Sequence, residues 1–157
     1  MIKKGLIVIL VCFLTFFAAS FSTQAQSQQG DMGIGIQSSY AFWGSGGLSF
    51  IYDMRPDASV QAILGTGGRG RNAIEGRYLH RFRQEAYWDG YAFGSAGIYS
   101  DSDLGFLWGG GVGIEYDLRG LEATFPPVSI NADVGAMARD GLEDFDVQLR
   151  TGFHYRF

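Results

Sequence analysis

The sequence predicts an all-β chain: an eight-stranded antiparallel up-and-down transmembrane β-barrel behind an N-terminal signal peptide. Three observations predict it. Apolar and polar residues alternate with period two from Asp31 onward, the period of a strand with two unlike faces. No stretch of helical period interrupts that alternation. The breaks between stretches carry Gly, Pro, Asp and Arg, the chemistry of turns. Composition agrees with one folded domain. The chain has 157 residues, 15% of them aromatic, which excludes a disordered polymer. Its 24 glycines follow no Gly-X-Y period, which excludes collagen.

The first stretch is an address. Lys3 and Lys4 precede a run of 15 residues, Gly5–Ala19, that is almost purely apolar, and Ser20–Ala25 is small and polar. These are the three regions of a secretory signal peptide. The run is short for a spanning helix, which needs about 20 residues. Cleavage is expected after Ala25, so that 1–25 is the leader and 26–157 the barrel domain. Cys12 follows Val11 in the middle of the apolar run, a poor lipidation context. The mature chain then has no lysine and no cysteine, and its ten arginines face sixteen acidic residues, a net charge of −6. That charge leaves no electrostatic footprint for nucleic acid.

The strands follow in order. Met32, Ile34, Ile36, Tyr40 and Phe42 alternate with Gly33, Gly35, Gln37 and Ser39. Leu48, Phe50, Tyr52 and Met54 alternate with Ser49, Asp53 and Arg55, up to the Arg55-Pro56-Asp57 turn. Val60, Ala62 and Leu64 oppose Ser59 and Gln61. After a glycine loop, Tyr78 and Phe82 oppose Glu75, Arg77 and Arg81. In the fifth strand Tyr91, Phe93 and Tyr99 are set as the apolar face against Gly90, Ala92, Gly94 and Ala96. The sixth sets Phe106, Trp108, Val112, Ile114 and Tyr116 against glycines, Glu115 and Asp117. The seventh sets Val128, Ile130, Ala132 and Val134 against Ser129, Asn131 and Asp133. The eighth, Phe145–Phe157, alternates most cleanly, with Arg150, His154 and Arg156 on its polar face.

The choice of face decides the solvent. The apolar parity carries large aromatics near strand ends: Tyr40, Phe42, Tyr52, Phe82, Tyr99, Tyr116, Tyr155 and Phe157. Girdles of this kind mark a lipid-facing band. The other parity mixes small residues with opposite charges, which suits the narrow lumen of eight strands. The expected interior charge network is Glu75, Arg77, Arg81, Glu115, Asp133, Arg150 and His154, with Asp53 and Arg156 on the same parity. A water-soluble surface would instead recruit lysine, and none remains.

Arg150-Thr151-Gly152-Phe153-His154-Tyr155-Arg156-Phe157 reads polar, x, Gly, x, x, aromatic, x, aromatic. It resembles the β-signal of bacterial outer-membrane barrels, with Arg150, Gly152, Tyr155 and Phe157 at the matching positions. The resemblance implies the barrel assembly machinery as a partner. More broadly, Asp31–Phe157 resembles the small eight-stranded outer-membrane barrels, such as the transmembrane domain of outer membrane protein A. That resemblance implies a bacterial outer-membrane location with both termini periplasmic. Gly44–Gly47, Gly67–Asn72, Ser100–Leu104 and Arg139–Asp144 would then face outward, and Arg119–Pro127 would be periplasmic. The last is long for a periplasmic turn and puts pressure on the strand count.

Chemistry is sparse. Gly65–Gly70 fits G-x-G-x-x-G, but a strand follows where a dinucleotide site needs a helix. Lipid A-modifying enzymes of this barrel size need a histidine near the outer leaflet. Here His154 faces inward close to the periplasmic end, as a partner of Arg156 and nearby carboxylates, and His80 lies on the lipid-facing parity near the same end. No catalytic residue, metal or cofactor is expected. Outer-loop Arg69 and Arg71 could meet lipopolysaccharide phosphates. Asp101, Asp103, Asp140, Glu143 and Asp144 could hold divalent cations, though ordinary solvated loop charge explains them too. The expected role is structural or surface-interacting. The protein would be a monomer, with outer-membrane lipid and lipopolysaccharide around it and its lumen filled by side chains. The alternatives are a channel for small apolar solutes, a lipid A-modifying enzyme, or a soluble periplasmic ligand-binding barrel.

Overall fold

The computed structural model describes residues 30–39, 45–67, 71–100, 104–139 and 145–157. The leader, Tyr40, Phe42, Arg69, Asp101, Asp103, Asp140, Glu143 and Asp144 lie outside them. Eight strands form one closed antiparallel barrel in sequence order. They are β1 (Met32–Ser39), β2 (Ser45–Arg55), β3 (Ala58–Gly67), β4 (Arg71–Gln84), β5 (Trp88–Ser100), β6 (Leu104–Asp117), β7 (Val128–Arg139) and β8 (Asp146–Arg156). β8 returns to pair with β1, so no edge is left open. The long Arg119–Pro127 stretch does not alter the strand count. It holds a single 3-10 turn, Leu118–Gly120, and then runs into β7.

The ring is strongly staggered. Register passes from Gly33 through Ile51, Gln61, Arg77, Ser95, Gly109 and Met137 to Asp146. Yet β1 pairs Gly33 directly with Arg156, ten residues further along β8. Such a stagger tilts the strands by roughly 35–45° and sets the barrel's girth. Tight coiling brings neighbouring backbones close on the inner face. A Cβ on Gly35 would fall on the Phe153 carbonyl, and one on Gly111 on the Val134 carbonyl, so only glycine fits there.

The distribution of side chains is the reverse of a water-soluble protein. Ile34, Ile36, Leu48, Phe50, Leu64, Ile74, Trp108, Leu149 and Phe153 are exposed on the outer face. Gln37, Ser49, Asp53, Gln61, Arg77, Arg81, Glu115, Asp133, Arg150 and His154 are buried within. Backbone groups pair around the ring and need no solvent.

One strand departs from expectation. Tyr91 and Phe93 are buried inside and Tyr99 is half-buried, while Gly94, Ala96 and Ile98 of the other parity are exposed. The reason lies in β6. Tyr91 is in register with Gly113 and Phe93 with Gly111. A Cβ on Gly113 would sit 2.6 Å from the Tyr91 ring. The inward glycines of β6 leave a hollow, and the rings of β5 fill it. Of the expected girdle, Tyr52, Phe82, Tyr155 and Phe157 are exposed, while Tyr116 is half-buried beneath Gly120 of the 3-10 turn.

Candidate functional site: the barrel interior

Inward side chains meet in three levels along the lumen. At the end that carries Phe157, seven strands contribute one side chain each: Asp53, Ser59, Arg81, Asp89, Glu115, Ser129 and Arg156. Arg81 donates to Asp53 at 2.9 Å and reaches Asp89 at 3.0 Å. Arg156 bridges Asp53 at 2.9 Å and Glu115 at 2.6 Å. Ser59 donates to Asp53, and Ser129 donates to Glu115. Three carboxylates therefore share two guanidiniums, held from opposite sides of the barrel.

The middle level is mostly uncharged. Arg77 donates to Asp133 at 3.0 Å and to the Gln61 carbonyl at 2.9 Å, and its guanidinium lies 3.8 Å over the Phe93 ring. Tyr91 donates to Asp133 at 3.1 Å. The Arg77 and Asp133 side chains are 0% and 1% exposed, so each needs the other. Ile51, Leu79, Tyr91 and Phe93 pack together as an apolar cluster on one side of the lumen. The level nearer the opposite end is thin. Arg150 donates to Glu75 at 2.8 Å and to Gln148 at 2.9 and 2.6 Å.

The residues expected to form the charge network separate into these levels. Arg81 and Glu115 belong to the first, Arg77 and Asp133 to the second, Glu75 and Arg150 to the third. His154 does not join the carboxylates as expected. Its Nε2 lies 2.8 Å from Ser49 Oγ, and Gln61 donates to that same hydroxyl at 2.8 Å. His154 sits one level further in than Arg156, and its ring stops at the serine. A Ser–His pair invites comparison with a nucleophile and its base. Among the described residues His154 Nδ1 has no partner to orient the ring, and both residues are buried. His80 is exposed on the outer face, with Nδ1 3.8 Å from Asp57.

Sequence reasoning missed Asp89. It shares the parity of Tyr91 and Phe93, so assigning that parity to the outside hid it. Gln37, Ser49, Ser59, Gln61, Ser129 and Asn131 carried a usable signal, since each lies on the inward parity of its strand. Arg150 and Gly152 of the C-terminal pattern face the lumen, while Tyr155 and Phe157 stack on the outer face with ring centroids 6.4 Å apart. Among the described residues, no group of His, Cys, Asp and Glu could hold a metal ion. Gly65 and Gly67 of the glycine motif end β3, residues 68–70 lie outside the described residues, and β4 begins at Arg71.

No protein-family model and no curated protein matches this chain. Solved structures do. The N-terminal β-barrel domain of Pseudomonas aeruginosa OprF superimposes with a TM-score of 0.64 at 15% identity, covering 82% of this chain and 98% of that one. A de novo designed transmembrane β-barrel gives 0.58 at 13% identity, covering 84% and 99%. The designed barrel TMB2.3 gives 0.57 at 18% identity, covering 84% and 98%. The similarity spans the whole barrel in each case. The chain thus has the fold of the small eight-stranded outer-membrane-type β-barrels.

Proposed function

We propose that this chain is a structural and surface-interacting barrel of the bacterial outer membrane, with its lumen shut by its own side chains. The observation that carries the reading is the three-level interior, from Arg156 at one end to the Arg150–Glu75 pair at the other. Buried ion pairs resist separation, because either partner alone would be left charged in a poorly hydrated space. The apolar outer face supplies the contact with lipid and lipopolysaccharide. The exported chain, freed of its leader, is a monomer that needs no cofactor. Tyr155 and Phe157, exposed at the end of β8, suit recognition by the barrel assembly machinery together with Arg150 and Gly152.

Three measurements test this. A folded barrel of the outer-membrane fraction migrates differently on a gel before and after boiling. A soluble periplasmic protein without that shift would overturn the membrane reading and make the barrel a ligand carrier. In a planar lipid bilayer the protein should give no steady ion current. A steady current would replace the closed barrel with a channel. Release of acyl chains from lipid A would replace it with an enzyme.

A further inference from the structure

Three connections close the barrel at the end that carries Phe157. Two are brief: Pro56–Asp57 joins β2 to β3, and Glu85–Tyr87 joins β4 to β5. The third, Leu118–Pro127, runs ten residues. A turn of that length is not needed to reverse an antiparallel strand. It is nonetheless well organised. Leu121 N–H donates to the Leu118 carbonyl at 2.9 Å, and Phe125 N–H to the Glu122 carbonyl at 3.0 Å. Thr124 Oγ1 donates to the Glu122 carboxylate at 2.8 Å, and Arg119 donates to Asp117 through its backbone and its guanidinium.

These bonds pair polar groups at the surface and leave the apolar ones unpartnered there. Leu121 is 68% exposed and Phe125 41%. Arg156 N–H donates to the Pro127 carbonyl at 2.7 Å, which ties the connection to the last residues of β8. There Phe157, 68% exposed, and Tyr155 continue the outer apolar face. The β2–β4 side of the same rim differs, with Arg55, Asp57 and His80 exposed side by side.

We propose that Leu121–Pro126 is a membrane-contact patch that inserts into the headgroup–acyl boundary of the leaflet at the Phe157 end of the barrel. The inference rests on the membrane reading above and adds a second point of lipid contact beyond the strands. Three features favour lipid as the occupant. The patch is continuous with the outer apolar face through Phe157. Its one ion pair, Arg119–Asp117, closes on itself, and its remaining carboxylate, Glu122, accepts from Thr124, so each charge reaches the boundary with a partner. Its exposed Leu121 and Phe125 supply the apolar area on which interfacial binding scales. The barrel would therefore sit deeper on its β6–β8 side than on its β2–β4 side.

Spin labels on single cysteines test it, in the full chain with Cys12→Ser, reconstituted in vesicles of phosphatidylethanolamine and phosphatidylglycerol. Leu121→Cys and Phe125→Cys report the patch, Val134→Cys the outer face, and Ala86→Cys the short β4–β5 turn. Only protein with heat-modifiable gel mobility is measured, so each signal comes from folded barrel. The ratio of oxygen to nickel-chelate accessibility at 121 and 125 should exceed that at 86 several-fold and approach that at 134. If 134 reads lipid while 121 and 125 match 86, the patch proposal fails and the membrane reading stands. If 134 itself reads water, the membrane reading fails. Labels at 121 and 125 that are aqueous in vesicles but immobilised in cell envelopes would assign the patch to a protein partner and overturn the lipid assignment.

Discussion

At the Phe157 end of the lumen, two arginines and three carboxylates from five strands are interlocked, with serines from two more strands beneath them. At the opposite end Arg150 meets Glu75 and a glutamine on its own strand, and Arg139 lies 5.6 Å over the Tyr99 ring. The first arrangement crosses the barrel several times. The second makes fewer crossings. In the first, Asp53, Glu115 and both arginines each have more than one partner, so removing either arginine leaves several groups short. Removing Arg150 leaves Glu75 and Gln148. The end with more bonds should therefore be the more sensitive to substitution.

The largest effect is expected for Arg81→Met. It leaves Asp53, Asp89 and Glu115 with Arg156 as their remaining guanidinium, and stability should fall by about 3–5 kcal/mol. The shift in urea midpoint of the vesicle-folded protein measures it. Arg150→Met should cost less, about 2 kcal/mol, because Glu75 loses one charged hydrogen bond and lies near the lumen mouth. A loss for Arg150→Met equal to that for Arg81→Met would break the comparison between the two ends.

The apolar side of the lumen sharpens it from a third direction. Gly113→Val drives a branched side chain into the Tyr91 ring and should cost about 1–3 kcal/mol. Adding Tyr91→Ala removes one of the two obstacles, the Asp133 Cβ at 2.6 Å remaining. The double variant should then be less destabilised than the two single losses combined, a coupling read from a double-mutant cycle. Ser49→Ala comes last, at about 1 kcal/mol. It removes the hydrogen bond to His154 and the hydroxyl that accepts from Gln61, whose amide stays 3.4 Å from the ring. If it instead equals Arg81→Met in urea, the middle level carries as much of the fold as the charged end.

Parity alone revealed most of the inner face. Gln37, Ser49, Asp53, Glu75, Arg77, Arg81, Glu115, Asp133, Arg150 and His154 all alternate with apolar residues that face out. β5 was not legible in the same way. Its two parities are ring-bearing and small, with Asp89 as the one charge near its start, and the rule that large apolar groups face lipid selected the wrong one. Packing overrode it, because the rings occupy space that Gly111 and Gly113 leave empty across the strand pair. His154 shows a second limit. Its inward direction was clear from Phe153 and Tyr155 on either side, but its partner was not. Ser49 is 105 residues away in sequence.

The sequence by itself determined the number of strands, their order and, Asp89 apart, the inside-out placement of charge. Those properties are local, because period two and turn chemistry act over a few residues. Only the tertiary structure decided which arginine meets which acid, which face of β5 turns inward, and that the β6–β7 connection leaves Leu121 and Phe125 uncovered. Those depend on the ten-residue stagger around the ring. That stagger is a property of eight strands closed together, and no single strand encodes it.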